Sequence, residues 1–92
     1  MVTAIVMINA EVHRIPEVAE VIAQIPGVSE VYSTTGEFDM VAIIRVRAHD
    51  ELAEIIPGRI NKVSGVTGTQ THIAFRTYSR HDLDAAFSIG AA

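Results

Sequence analysis

The chain has 92 residues, 49% of them hydrophobic, no cysteine and a formal net charge of −4. Such a length makes one small domain, which buries only about two-thirds of its unfolded surface, so this much apolar side chain predicts an interface between subunits. The seven basic residues (Arg14, Arg45, Arg47, Arg59, Lys62, Arg76, Arg80) form no run, which argues against direct nucleic-acid binding, and the missing cysteines exclude a disulfide framework or thiolate metal site.

The first element is the apolar stretch AIVMINA, 4–10, which reads as a strand. No basic run precedes it, no small-residue cleavage signal follows, and it is far too short to span a bilayer. A cytoplasmic protein with no membrane partner is expected. Residues 14–25 place Ile15, Val18, Val21, Ile22 and Ile25 at spacings of three and four, predicting a helix with Pro16 in its first turn and Pro26–Gly27 at its end. Val28, Val31 and Tyr32 then mark a weakly alternating second strand.

The segment TTGEFDMV, 34–41, turns the chain with more chemistry than a hairpin needs: Gly36 is accompanied by two threonines, two acids and a phenylalanine. Met40 to Ile44 is nearly all apolar and predicts a buried third strand. Residues 50–62 repeat the helical spacing through Leu52, Ile55, Ile56, Ile60 and Val63, with Asp50 as the expected N-cap. Pro57 predicts a kink or a break near Ile56, and the apolar spacing that resumes at Ile60 favours a kinked helix over two unrelated pieces. VSGVTGTQT leads into a last strand, with Thr71, Ile73 and Phe75 on one face. The expected division is a domain at 1–78 and a tail at 79–92, where HDLDAAF can form one or two helical turns with Leu83, Ala86 and Phe87 inward.

The halves of the chain echo each other. AIVMINA (4–10) matches AIIRVRA (42–48), EVAEVI (17–22) matches ELAEII (51–56), and PGVSEV (26–31) matches SGVTGT (64–69), in the same order. Each half therefore reads strand, helix, strand. Two such units make an α+β fold of the ferredoxin-like split βαβ type (βαββαβ): a four-stranded antiparallel sheet with two helices on one face. Ala4, Val6, Ile8, Ala42, Ile44 and Val46 should face the helices. The opposite face carries Ile5, Met7, Asn9, Val41, Ile43, Arg45, Arg47, His72, Ala74, Arg76 and Tyr78, too apolar at one end to be left in water. The same face of a second copy is the expected cover, giving a dimeric α+β barrel; the tail folding back over it is the alternative.

With IPGVSEV after the first helix, TGEFDMV across the central hairpin, VSGVTGTQT into the last strand and IAFRTYS closing it, residues 1–78 resemble the ligand-binding domain of the Lrp/AsnC transcription regulators, the regulation-of-amino-acid-metabolism (RAM) domain. Full-length members carry an N-terminal helix-turn-helix domain. The sequence starts at the first strand, so a likeness to the stand-alone versions is expected, without the family's DNA binding. The resemblance implies a homodimer that assembles into a higher oligomer, an octamer-like ring of four pairs. It also implies a small-molecule effector, an amino acid, bound in clefts between dimers, and a full-length Lrp/AsnC regulator as a possible protein partner. The residues it places in that cleft are Gly36, Glu37, Phe38 and Asp39 of the hairpin and Thr69, Gln70 and Thr71 of the last strand.

The chemistry of those residues suits an amino acid. A carboxylate such as Asp39 can take an ammonium through a charge-assisted bond, and backbone N–H groups near Gly36, with threonine hydroxyls, can hold a carboxylate. Phe38 can wall the cleft. Each residue also has an ordinary reading: Gly36 as a turn glycine, Asp39 and Glu37 as turn solvators or caps, the threonines as β-branched strand residues. The histidines at 13, 49, 72 and 81 match no common ligand spacing, so no metal, haem or other cofactor is expected. Two alternatives stay open. One is a small dimeric barrel enzyme of the cofactor-independent monooxygenase or isomerase type, using His72 or Arg76 in the sheet-to-sheet space as acid–base or anion clamp; a pocket between the helices and sheet lined by His and Asn would favour it. The other is an assembly partner that binds nothing.

Overall fold

A computed structural model of the chain describes residues 1–78 and 80; the readings of Leu83, Ala86 and Phe87 lie outside these. The elements in chain order are β1 (Val2–Ala10), α1 (Ile15–Ala23), β2 (Val28–Ser33), β3 (Met40–Val46), α2 (Asp50–Ile55) and β4 (Val66–Ala74). Short 3-10 turns precede α1 (Val12–Arg14) and follow α2 (Ile60–Lys62). The strands form one sheet in the order β2-β3-β1-β4 with every pairing antiparallel, which is the ferredoxin-like arrangement. The strands of the two halves interleave, so each half depends on the other for its sheet.

Strand alternation decides the core. Ala4, Val6, Ile8, Met40, Ala42 and Ile44 are fully buried in one cluster with Val18 and Ile22 of α1, Leu52 and Ile55 of α2, and Ile60. Full burial of a valine or isoleucine contributes about 1.5–3 kcal/mol, so this face holds the helices down. The odd-numbered neighbours Ile5, Met7, Val41 and Ile43 point the other way and stay half-buried. No polar or charged residue among those described is buried.

The internal repeat has a structural counterpart in two turns. Val28 N–H donates to Ile25 O at 3.0 Å and Val66 N–H to Val63 O at 3.1 Å, with Gly27 and Gly65 at φ 100° and 102°. Both are turns of type II, whose third position favours glycine. A Cβ on Gly27 would lie 2.6 Å from Ile55 Cδ1, and one on Gly65 would lie 2.8 Å from Val18 Cγ2. Each half's turn is therefore seated against the helix of the other half.

Several expectations change. Helix α1 is shorter than 14–25, and Val21 is half exposed, at the margin of the apolar stripe. The second helix is broken rather than kinked. Pro57 has no N–H to continue the ladder, and the chain crosses to the 3-10 turn through bonds from Arg59 N–H to Ile55 O (3.1 Å) and from Asn61 N–H to Ile56 O (2.9 Å). That wide turn swings Ile60 back into the core, which is why the apolar spacing resumes. Asp50 is not the N-cap; His49 holds that position without a side-chain bond. Glu51 does the capping, its Oε2 accepting from the N–H groups of Arg47 (2.9 Å) and Ala48 (2.8 Å). Phe75 does not join the helix-facing side: β4 ends at Ala74 and Phe75 is fully exposed. Arg47, Arg76 and Tyr78 likewise lie beyond the ends of their strands and not on the outer sheet face.

Candidate functional site

The loop after β2 is tied at its base and open at its tip. Thr34 N–H donates to Asp39 O at 3.0 Å, and Thr34 Oγ1 donates to Phe38 O at 2.9 Å. Gly36 adopts φ 98° with open space where a side chain would stand, and Glu37 is exposed beside it. Phe38 and Asp39 are half-buried.

Asp39 is also a latch between strands. Its Oδ2 accepts from Ala10 N–H at 2.9 Å, while its own N–H donates to Ile8 O (3.0 Å) and Asn9 Oδ1 (3.2 Å). One carboxylate oxygen thus closes the end of β1, where Ala10 is nearly buried. Asn9 was not singled out from the sequence as a partner of the hairpin. The available signal was a lone amide closing an apolar strand.

The start of β4 reaches the same end of the sheet from the other side of β1. Ile8 pairs with Met40 on one flank and with Thr69 on the other. Adjacent strands lie about 4.8 Å apart, so the hairpin base and β4 are separated by roughly 10 Å across β1. The register steps from Asn9↔Gly68 to Ala10↔Val66, leaving Thr67 as the extra residue of a bulge. Thr69 Oγ1 donates to Asn61 Oδ1 at 2.8 Å, and a shallow cavity of about 240 Å³ lies among Asn61, Val66, Thr67, Gly68 and Thr69. Asn61 and Gly68 also went unnoticed in the sequence; a glycine within a strand is the usual trace of a bulge.

Not all seven candidate residues converge. Gly36, Glu37, Phe38 and Asp39 share the loop, and Thr69 approaches across β1. Gln70 pairs with Met7 and so faces the outer side of the sheet, its Nε2 3.2 Å from His72 Nε2. Thr71, opposite Val6, faces the helix side and lines a second, apolar groove of about 370 Å³ between α2 and β4. Neither cavity reaches the hairpin. His49 lines the α2–β4 groove and Asn61 the other, so neither pairs His with Asn as the enzymatic alternative requires. Among the described residues, no three His, Cys, Asp or Glu side chains are grouped to hold a metal.

One polar cluster lies on the outer face near β2. Arg45 Nη1 donates to Glu30 Oε1 at 3.2 Å. The Tyr32 hydroxyl, followed by Arg45, holds the Glu30 carboxyl below its ordinary range, and the same bond pushes the Tyr32 phenol up. It is a surface network at the edge of the sheet, away from the hairpin tip.

The split βαβ architecture has a counterpart among known proteins. The family model of the Lrp/AsnC ligand binding domain matches residues 3–83. The chain belongs to the Lrp/AsnC family. It is 36% identical over 75 residues to the HTH-type transcriptional regulator FL11 of Pyrococcus horikoshii, covering 82% of this chain and 49% of that protein. It is 37% identical over 78 residues to the regulator LysM of Saccharolobus solfataricus, covering 84% and 54%. The chain thus spans about half the length of these Lrp/AsnC-type regulators. The crystal structure of TTHA0845 from Thermus thermophilus superposes with a TM-score of 0.82 at 41% identity, covering 87% of this chain and all of that one. No described helix of this Lrp/AsnC domain is long and apolar enough to cross a membrane.

Proposed function

We propose that this Lrp/AsnC domain is an oligomeric receptor for a small effector of the amino-acid class, modulating transcription through a regulator protein in the cytoplasm. The observation that carries the reading is the arrival of two chemically rich, open segments at one end of the sheet, the hairpin Gly36–Asp39 and the start of β4 around Thr69. Within one copy they enclose no common cavity. A neighbouring dimer supplies the missing wall, with Phe38 against the ligand side chain and the exposed Glu37 at its rim. Asp39 keeps Oδ2 on Ala10 and offers Oδ1 to the ligand ammonium. Backbone N–H groups around Gly36 serve the carboxylate.

The half-buried apolar outer face, Ile5, Met7, Val41 and Ile43, supports a sheet-to-sheet dimer as the unit of that assembly. The test is a thermal-shift screen of the full chain against the twenty amino acids at fixed protein concentration, with light scattering on the same samples. At least one amino acid should raise the melting temperature, and the mass should be well above 9.9 kDa. A monomer at micromolar concentration that no amino acid stabilises overturns the reading.

A further inference from the structure

Register orders the outer face of the sheet into rows. Ile43 pairs with Glu30 on one side and Ile5 on the other, and Ile5 pairs in turn with His72. Val41 likewise lies between Tyr32 and Met7, and Met7 pairs with Gln70. Each row therefore runs from a polar residue on edge strand β2, through two half-buried apolar side chains, to a polar residue on edge strand β4.

The two polar edges differ in chemistry. On β2 the Glu30 carboxylate accepts from Arg45 and from the Tyr32 hydroxyl, and two carboxylate oxygens can accept about four bonds, so capacity remains. On β4 Gln70 Nε2 lies 3.2 Å from His72 Nε2. An amide nitrogen only donates, so that ring nitrogen accepts and Nδ1 carries the proton of the neutral imidazole. One edge offers an acceptor and the other a donor.

We propose that the outer faces of two copies meet about a twofold axis parallel to the strands, which sets Glu30 of each copy against His72 of the other and Tyr32 against Gln70. The order β2-β3-β1-β4 then lays β2 over β4 of the second copy and β3 over its β1. Ile43 meets Ile5, Val41 meets Met7, and the polar pairs close the two flanks, an apolar centre inside a polar rim. Stacked sheets keep their strands within about 30° of one another, which leaves one other twofold arrangement, with the axis across the strands. There each edge meets itself. Two His72 Nδ1–H donors would face each other with no acceptor between them, and two Glu30 carboxylates would be brought together. Like charges juxtaposed across an interface are costly, so the first arrangement is favoured. The proposal rests on the sheet-to-sheet dimer of the proposed function and fixes how its two copies are turned.

Within one copy Glu30 and His72 stand on opposite edges, about 14 Å apart across the sheet, so a strong coupling between them in dimerisation acts between copies. The dimer dissociation constant of the full chain is measured by sedimentation over a dilution series. Glu30→Lys and His72→Glu should each raise it at least about tenfold, because each sets like charges together twice in the dimer. The two substitutions combined should bring it back to within about threefold of the parent, since lysine then meets glutamate at both flanks. A combined variant weaker than either single one, or additive losses, overturns the proposal while the dimer itself stands. A parent chain that stays monomeric overturns both. A second measurement leaves the charges out of the comparison and uses the absence of native cysteine. Chains carrying Glu30→Cys are mixed with chains carrying His72→Cys and treated with a short bismaleimide, with the products read by peptide mass spectrometry. Links from 30 to 72 between chains should dominate, and a predominance of 30–30 and 72–72 links would assign the axis across the strands instead.

Discussion

Replacing Asp39 separates its two assignments, as a latch within the fold and as a contact for the effector. In Asp39→Ala, the Ala10 N–H loses its acceptor at 2.9 Å in a place that is 6% exposed. A hydrogen bond to a charged group is worth about 1.5–3 kcal/mol, and a buried donor left unpaired costs a similar amount. We take about 2 kcal/mol for the variant. In a domain of this size 1 kcal/mol moves the melting temperature by about 4–8 °C, so the shift should be about 8–16 °C downward. Asp39→Asn keeps a neutral acceptor for Ala10 and should lose roughly half as much. The two variants are melted at one protein concentration with and without the amino acid that stabilises the parent. If Oδ1 meets the ligand ammonium, Asp39→Asn loses the ligand-induced shift while its unliganded melting point stays within a few degrees of Asp39→Ala or higher. A melting temperature for Asp39→Ala within about 2 °C of the parent would refute the latch. A full ligand shift in Asp39→Asn would remove Asp39 from the effector contact.

Gly27→Ala and Gly36→Ala impose the same positive φ on an alanine, yet only the first drives a methyl into Ile55. Backbone strain alone predicts about 1 kcal/mol at Gly36, and strain plus overpacking about 2–4 kcal/mol at Gly27. Urea midpoints check the order, and equal losses would contradict the seating of Gly27 under α2. At Glu30 the depressed pKa means that its contribution to stability is present above the ordinary carboxylate range and is lost as pH falls through the folded value. Tyr32 has a raised pKa, so its contribution is complete below the ordinary phenol value and disappears as pH rises through the folded one. In an NMR titration, Tyr32→Phe should return Glu30 toward its ordinary value, because the tyrosine bond is the largest single cause of the depression. A Glu30 titration that is unmoved by Tyr32→Phe would remove that bond from the account.

The architecture was legible in local rules. Period-two apolar residues in 4–10 and 40–46, period-three-and-four residues in 15–25 and 50–56, and paired glycine turns after each helix specify two strand–helix–strand units. Their similarity is visible because both glycines face one demand: positive φ beside a packed helix. Places where the reading slipped involve competition between local signals. Asp50 has the composition of an N-cap, yet Glu51 reaches back to two backbone donors and takes over the task. Ile60 continued the helical spacing beyond Pro57, but the spacing came from a wide turn returning to the core.

The sequence by itself determined the element types, the inward faces of the central strands and the hairpin that carries Gly36, Phe38 and Asp39, because each depends on residues close in the chain. Only the tertiary structure decided that Asp39 closes on Ala10 and Asn9, residues 29 and 30 positions away. It alone sent Thr69, Gln70 and Thr71 to three different surroundings. Successive strand residues point to opposite sides, and the neighbours on those sides come from β1, α2 and the 3-10 turn. Those relations depend on sheet order and register, which no stretch of this chain carries by itself.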